Sequence, residues 1–118
     1  MKSVHYRDLI AWQKGIDLVV AVYEATQEFP QREIYALTSQ VRRAVVSVPS
    51  NIAEGQGRGT PNEFVRGLRI AHGSLLESET QLIIARRLRY LEDAQTEGLL
   101  TRTAEVGRLV NGLINSIS

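Results

Sequence analysis

The stretch Phe29–Gly59, FPQREIYALTSQVRRAVVSVPSNIAEGQGRG, decides the fold. Its apolar residues recur every three or four positions, as on one face of an α-helix: Ile34, Leu37, Val41, Ala44, Val48 and Ile52. Pro49 lies inside this pattern and removes one backbone hydrogen bond. Because the apolar period continues beyond Pro49, we predict a helix that is kinked but continuous. Gly55 or Gly57 can adopt the left-handed conformation that ends such a helix.

Further helical patterns flank this stretch on both sides. Thr60-Pro61-Asn62-Glu63 supplies the N-cap residue, the first-position proline and the glutamate of a capping box. An earlier apolar stripe consists of Leu9, Trp12, Ile16, Val19 and Tyr23. A final stripe near the C-terminus consists of Val106, Leu109 or Val110, Leu113 and Ile117. Each stripe has the three- and four-residue spacing of an amphipathic helix.

These patterns predict helices over about 8–28, 33–56, 61–90 and 94–116, within a single domain of residues 1–118. No alternating strand pattern competes with them. Helices that are joined by short connections pack antiparallel to their neighbours. We therefore predict an all-α fold, an antiparallel up-down-up-down four-helix bundle.

Length and composition limit the class of protein. With 118 residues, 43% of them apolar, the chain can build one domain with its own core. Cysteine is absent, which excludes disulfides and thiolate ligands and is typical of a cytoplasmic protein. No apolar run approaches the ~20 residues of a membrane helix, and no signal-peptide pattern is present. We expect a cytoplasmic protein with no membrane partner.

Charge is unevenly distributed along the chain, although the formal net charge is only +1. Residues 31–91 carry nine basic and five acidic side chains, whereas residues 1–30 and 92–118 together carry five basic and eight acidic ones. Twelve of the fourteen cationic residues are arginine, which forms bidentate contacts to carboxylate or phosphate. Arginine-rich helix faces are also common as solvated or salt-bridged surfaces.

The sequence lacks the residue patterns of an enzyme. Neither His5 nor His72 belongs to a Glu-x-x-His motif of a di-iron bundle, and no nucleophile elbow is present. The segment GQGRGT at 55–60 resembles a phosphate-binding loop, but such loops follow a strand and this one follows a helix. A helix end and turn explain it better. We predict no catalytic residue, no metal, no cofactor and no small-molecule substrate.

Polar residues interrupt the apolar pattern of the second helix. We interpret them, with one residue of the third helix, as a structural polar network: Gln40, Arg43, Asn51, Glu54 and Glu77. If the third helix folds back at residues 57–60, Arg43 lies level with Glu77, and Glu54 lies near Arg66. We predict two interhelical ion pairs that fix the register of these helices. The alternative is an outward-facing Arg43 that binds phosphate.

The second and third helices carry more apolar residues than one bundle seam can cover. The additional residues are Val45, Val46, Ile70, Leu76, Ile83 and Ile84. A helix that is apolar over most of its circumference is buried on a second side, so we interpret these residues as an oligomer interface. The alternative is a wide core stripe in a monomer. The basic middle and acidic ends provide two unlike faces, which favours a head-to-tail ring.

Several segments resemble a known family. FP at 29–30, YALTSQVRRA at 35–44, NIAEG at 51–55 and AHGSLLE at 71–77 resemble the bacterial four-helix bundle proteins encoded in intervening sequences of 23S rRNA genes. The resemblance implies a bundle that assembles as a homopentamer and has no enzyme activity. That family is distantly similar to the accessory protein of diversity-generating retroelements, a basic pentamer that engages a reverse transcriptase and nucleic acid. This likeness implies RNA or another nucleic acid as a partner.

Two main hypotheses for function follow. The first is a non-enzymatic oligomer that binds nucleic acid or a ribonucleoprotein partner through salt-dependent phosphate contacts. The candidate residues are Arg42, Arg58, Arg66, Arg69, Arg86, Arg87 and Arg89. The second is a structural or protein-interaction scaffold without nucleic-acid binding, whose arginines pair with the acidic ends of neighbouring subunits. An enzyme is a third class, which no residue pattern supports.

Overall fold

Four antiparallel helices form the bundle. The computed structural model describes residues 5–117. The helices are α1 (Ile10–Thr26), α2 (Leu37–Gly57), α3 (Pro61–Arg87) and α4 (Asp93–Ile117), and 3₁₀ turns occupy Tyr6–Asp8 and Gln31–Glu33. Both α1 and α3 pack against α2 and α4, so that each helix has two neighbours in a molecule of 50 × 25 × 19 Å. The predicted all-α bundle is confirmed.

The two ends of the bundle differ in their connections. The upper end contains the α1–α2 and α3–α4 connections, and the lower end contains the α2–α3 turn. The second helix begins at Leu37, four residues later than predicted, because the 3₁₀ turn and the turn residues 34–36 after it occupy the preceding segment. The third helix ends at Arg87 because Arg89 adopts a left-handed conformation, with φ of 65°.

The core face of α1 differs from the predicted one. Its buried residues are Ala11, Gly15, Leu18, Val22 and Thr26, whereas Ile16 and Tyr23 of the predicted stripe are more than one-third exposed. The prediction is therefore wrong by a rotation of about one residue. Gly15 packs on the ring of Pro49, where an added Cβ atom would make ordinary van der Waals contact at 3.5 Å. The small residues of α1 face inward, which leaves several large ones outside.

Pro49 is accommodated within α2. The helix is assigned without interruption from Leu37 to Gly57, and Pro49 is buried against Gly15 of α1. The prediction that α2 continues through the proline is confirmed. The predicted kink stays a prediction.

Two glycines bring α2 and α3 into close contact near the lower end. A Cβ atom added to Gly67 would lie 2.5 Å from the Asn51 carbonyl oxygen and 2.9 Å from the Gly55 Cα atom. The left-handed residue after α2 is Gly59, with φ of 87°, and not Gly55 or Gly57. The Thr60 hydroxyl then accepts a hydrogen bond of 3.2 Å from the Glu63 amide, which confirms the predicted N-cap of α3.

The carboxylate of Glu33 joins the α1–α2 connection to the α3–α4 connection at the upper end of the bundle. Glu33 accepts a hydrogen bond of 2.7 Å from the Tyr90 hydroxyl and one of 3.3 Å from the Leu37 amide at the start of α2. The Tyr90 ring also packs on Phe29, with a centroid separation of 5.4 Å. Donation to Glu33 raises the pKa of Tyr90 above its ordinary value, with smaller contributions from partial removal from water and from the Glu33 charge.

The raised pKa of Tyr90 predicts a loss of stability at high pH. The folded-state pKa exceeds the unfolded one, so the contribution is complete below the unfolded pKa and disappears as pH rises through the folded pKa. We expect Glu33→Gln to return the pKa of Tyr90 toward its ordinary value of about 10. An ultraviolet absorbance titration, with Tyr90→Phe subtracted to isolate this tyrosine, measures it. Identical curves for wild type and Glu33→Gln would contradict the assignment.

Candidate nucleic-acid interface

Arg42 is the one candidate arginine that the protomer itself engages through several contacts. Its guanidinium donates to the Thr26 hydroxyl at 2.9 Å and to the Tyr23 carbonyl at 3.4 Å, and it lies 4.6 Å from the centroid of the Tyr23 ring. These groups belong to the last turns of α1, where a cation is favoured by the helix dipole. Arg42 therefore joins α2 to the end of α1, and we remove it from the candidate phosphate contacts.

A lower arginine cluster surrounds the α2–α3 turn. It consists of Arg58, Arg66 and Arg69, all exposed. Arg66 pairs with Glu63 on the same helix at 3.9 Å, an exposed ion pair of the kind that contributes little to stability. The predicted pair between Glu54 and Arg66 is not formed. Arg58 and Arg69 have no acidic partner within residues 5–117.

An upper arginine cluster surrounds the end of α3. It consists of Arg86, Arg87 and Arg89, beside an open cavity of about 1040 Å³ that Glu28, Glu92 and Asp93 also line. Arg86 pairs with Glu97 of α4 at 3.0 Å. Arg87 and Arg89 are exposed and lack an ion pair in the described part of the chain. Two cations therefore remain available here, although the surrounding charge is mixed.

One arginine of each cluster lies on the same side of α3. Arg69 and Arg87 are eighteen residues apart, which is five helical turns at 3.6 residues per turn. Their side chains therefore project in the same direction, roughly 27 Å apart at 1.5 Å per residue. The structure thus separates the candidate arginines into a lower and an upper group, a spatial division that the sequence did not predict.

The predicted polar network lines the outer groove between α2 and α3. Gln40, Arg43 and Glu77 border an open cavity of about 510 Å³. Asn51 and Glu54 border a smaller one of about 200 Å³ near the lower end. No ion pair joins Arg43 to Glu77, so the predicted pair is wrong: the cavity lies between the two helices at this level.

Short polar side chains close the middle of this groove. The hydroxyls of Ser47 and Ser74 lie 2.9 Å apart and link α2 to α3. The Asn51 amide donates to the Ser47 carbonyl and hydroxyl, both at 2.8 Å. The serine pair therefore provides the interhelical polar contact that we had assigned to charged residues. Small side chains permit it where α2 and α3 run close together.

Comparison with known proteins identifies the family. The family model described as 23S rRNA-intervening sequence protein matches residues 7–112. The chain belongs to this family. A solved structure with the same fold is a protein of unknown function from the S23 ribosomal protein family of Bacteroides thetaiotaomicron. It has 20% sequence identity and a TM-score of 0.82, over 90% of this chain and 96% of that chain. No curated protein matches.

The family assignment confirms the resemblance inferred from sequence. The description names a 23S rRNA-intervening sequence and no enzymatic activity. The more distant likeness to the accessory protein of diversity-generating retroelements stays a prediction. At 20% identity, the Bacteroides structure supports the fold alone.

This family member presents an exposed apolar face on α3, with one further exposed apolar residue, Val46, on the neighbouring α2. Five of the six predicted interface residues are more than one-third exposed: Val46, Ile70, Leu76, Ile83 and Ile84. Val45 is fully buried in the protomer core, so its assignment to the interface is wrong. Val45 follows Ala44 and Val41 around the inner side of α2, where the core face is wider than one stripe.

A second exposed apolar face lies on α1, and sequence reasoning missed it. Ile16, Val20 and Tyr23 are each more than one-third exposed. The sequence does contain the signal, because Ile16 and Tyr23 belong to the predicted apolar stripe of α1. A helix with two apolar sides gives two equivalent periodic patterns, and periodicity alone does not say which one faces inward.

Two further observations concern metal and membrane. Within residues 5–117, no group of three or more His, Asp or Glu side chains is placed to hold a metal ion. None of the helices described has the length and apolar character needed to span a bilayer.

Proposed function

We propose that this family member is a non-enzymatic, cytoplasmic bundle that self-assembles and binds nucleic acid or a ribonucleoprotein partner. One observation carries the proposal: Arg58, Arg69, Arg87 and Arg89 are exposed and have no acidic partner within residues 5–117. Arginines without an internal counterion are suited to bind phosphate. The family's description as an rRNA-intervening sequence protein also supports a nucleic-acid context.

Self-assembly is part of this proposal. The apolar faces of α1 and α3 lie on different helices, and soluble monomers seldom expose large contiguous apolar patches. Two unlike faces that meet head to tail form a ring when the rotation closes. The number of subunits, five, comes from the family resemblance. Arg69 and Arg87 lie beside the apolar face of α3, so assembly through that face would bring them to the edge of the subunit contact. Arg58 and Arg89 lie beyond the ends of their helices, and a ring would repeat them in every subunit, which would strengthen binding to a long polyanion by multivalency.

Loss of two arginines is expected to weaken RNA binding in a salt-dependent way. In Arg69→Gln/Arg87→Gln, we expect lower affinity for structured RNA at low salt. The slope of log affinity against log salt should fall by about one for each phosphate contact removed. Filter binding at several salt concentrations measures both quantities. Arg102→Gln, an exposed site on α4, is the matched control. Binding that is absent at low salt, or indifferent to salt, would refute the nucleic-acid proposal.

A protein-interaction scaffold is the second candidate function, and the acidic border of α1 favours it. Asp17 and Glu24 are exposed and lie within one turn of Val20 on the same helix. The arginines of α3 could pair with these carboxylates in a neighbouring subunit. A crystal structure of the assembly decides between the candidates: if most of the exposed arginines form intersubunit ion pairs, the scaffold is favoured.

A further inference from the structure

Tyr35 is the most exposed large hydrophobic side chain among residues 5–117. Its exposed fraction is 96%, and it stands at the edge of the 510 Å³ cavity in the α2–α3 groove. A free aromatic ring beside a polar cavity provides a stacking platform, and bases of single-stranded RNA stack on such rings. The volume of the cavity lies within the range of 300–1,000 Å³ typical of ligand sites.

Two opposite charges face this cavity without neutralising each other. Arg43 of α2 and Glu77 of α3 both line it and are both exposed, yet no ion pair joins them. Gln40, Ser47 and Ser74 complete a lining that is mostly polar. A ligand that fits here must offer donors to the carboxylate, acceptors to the guanidinium and a flat face to Tyr35.

Guanine satisfies all three requirements. Its N1–H and N2 amino group are adjacent donors that a carboxylate accepts together, and its O6 and N7 atoms are adjacent acceptors for an arginine. Adenine presents one donor beside one acceptor on each of its edges, cytosine presents one donor beside two acceptors, and uracil has a single donor between two acceptors. None of the three offers both a pair of adjacent donors and a pair of adjacent acceptors. Recognition of an unpaired base through these edges and its stacking face is common in RNA-binding proteins.

We propose that the outer α2–α3 groove binds an unpaired guanine base of RNA, with Tyr35 stacking on it, Glu77 accepting from its N1 and N2 groups and Arg43 donating to its O6 and N7 atoms. This inference rests on the proposed nucleic-acid function and adds base selectivity to it. The arginine clusters would contact the phosphate backbone of the RNA, and the groove would discriminate guanine from the other bases. A protein segment fits the groove less well, because charged residues are depleted at the centres of protein interfaces.

Short RNA oligomers test the site. The probes are oligouridines of about ten nucleotides, with guanosine, cytidine, adenosine or inosine at one central position, measured by fluorescence anisotropy at fixed salt. We expect wild type to bind the guanosine probe about tenfold more tightly than the others, inosine included, because inosine lacks the N2 amino group. Tyr35→Ala should lower the affinity for the guanosine probe about tenfold. Tyr35→Phe should retain this affinity, because stacking requires only the aromatic ring.

Glu77→Gln should abolish the difference between guanosine and inosine. Asp8→Asn is its matched control: it removes the same charge from an exposed residue at the opposite end of the bundle and should keep the preference. If Tyr35→Ala and Glu77→Gln bind every probe as wild type does, the inference is overturned while salt-dependent binding through the arginines stands. If no RNA binds at low salt, the proposed function fails and the guanine site fails with it. If Tyr35→Ala changes the assembly mass in light scattering and not the RNA affinity, the groove contacts protein.

Discussion

Gly67→Ala is expected to destabilise the bundle by about 3 kcal/mol. The added methyl group would lie 2.5 Å from the Asn51 carbonyl oxygen and 2.9 Å from the Gly55 Cα atom. Both are backbone atoms, so no flexible side chain can move away and α2 must separate from α3. Separation would also disturb the hydrogen bond between Ser47 and Ser74 on the same pair of helices.

A matched substitution on α4 isolates this steric effect. Gly98 lies inside α4 with open space around the position of a Cβ atom. Gly98→Ala is therefore expected to raise stability by up to about 1 kcal/mol, because alanine is the better helix former. Urea unfolding of both variants at one fixed protomer concentration gives the comparison, since assembly makes stability depend on concentration. Equal stabilities for the two variants would show that α2 and α3 can separate without cost.

The contrast between these glycines marks a limit of sequence-based prediction. Gly67 and Gly73 both lie inside α3. Because glycine costs about 1 kcal/mol relative to alanine in a helix interior, the sequence alone predicts a compensating close helix contact at each. The structure places Gly67 against the backbone of α2 and leaves Gly73 with open space. Which glycine meets a neighbouring helix depends on the rotation of α3 about its own axis, and the sequence fixes that rotation only through the apolar stripe.

Helix positions followed from local signals, whereas the core face of α1 did not. Capping at Thr60 and the apolar period through Pro49 are properties of a few adjacent residues, and both were predicted. The inner face of α1 depends on how this helix packs against α2 and α4, which is a tertiary property. A large apolar residue looks like core in any amphipathic pattern, although a close helix crossing selects the small residues for the inside.

The candidate site was predicted in parts. The sequence indicated a basic middle region and named the residues of the polar network, and the structure gathers that network along one groove. The two predicted interhelical ion pairs were wrong. Arg43 and Glu77 line a cavity without pairing, and Arg66 pairs with Glu63 of its own helix instead of with Glu54. The role of Tyr35 was not foreseen: an aromatic residue inside an apolar segment resembles core, and only its exposure distinguishes it.

Ile83→Asp is expected to dissociate the proposed assembly while the protomer keeps its helical content. Ile83 is 39% exposed on α3, whereas the adjacent Leu82 is fully buried. A carboxylate at position 83 remains hydrated in the monomer but must lose water in an interface, which is strongly unfavourable without a partner. Leu82→Asp is the matched control and should unfold the protomer itself. Ile70→Asp should behave like Ile83→Asp, and light scattering with circular dichroism distinguishes the two outcomes.

Mixing two variants tests whether the faces of α1 and α3 meet head to tail. Val20→Asp disrupts the α1 face and leaves the α3 face intact, and Ile83→Asp does the reverse. Each should be monomeric alone, and an equimolar mixture should form a dimer and nothing larger, because only one good pair of faces remains. A wild-type monomer at micromolar concentrations would refute the interface altogether. If Val20→Asp alone remains a dimer, α3 pairs with α3 about a two-fold axis and the ring is excluded. Loss of helicity in Ile83→Asp would instead mean that Ile83 belongs to the core of the protomer.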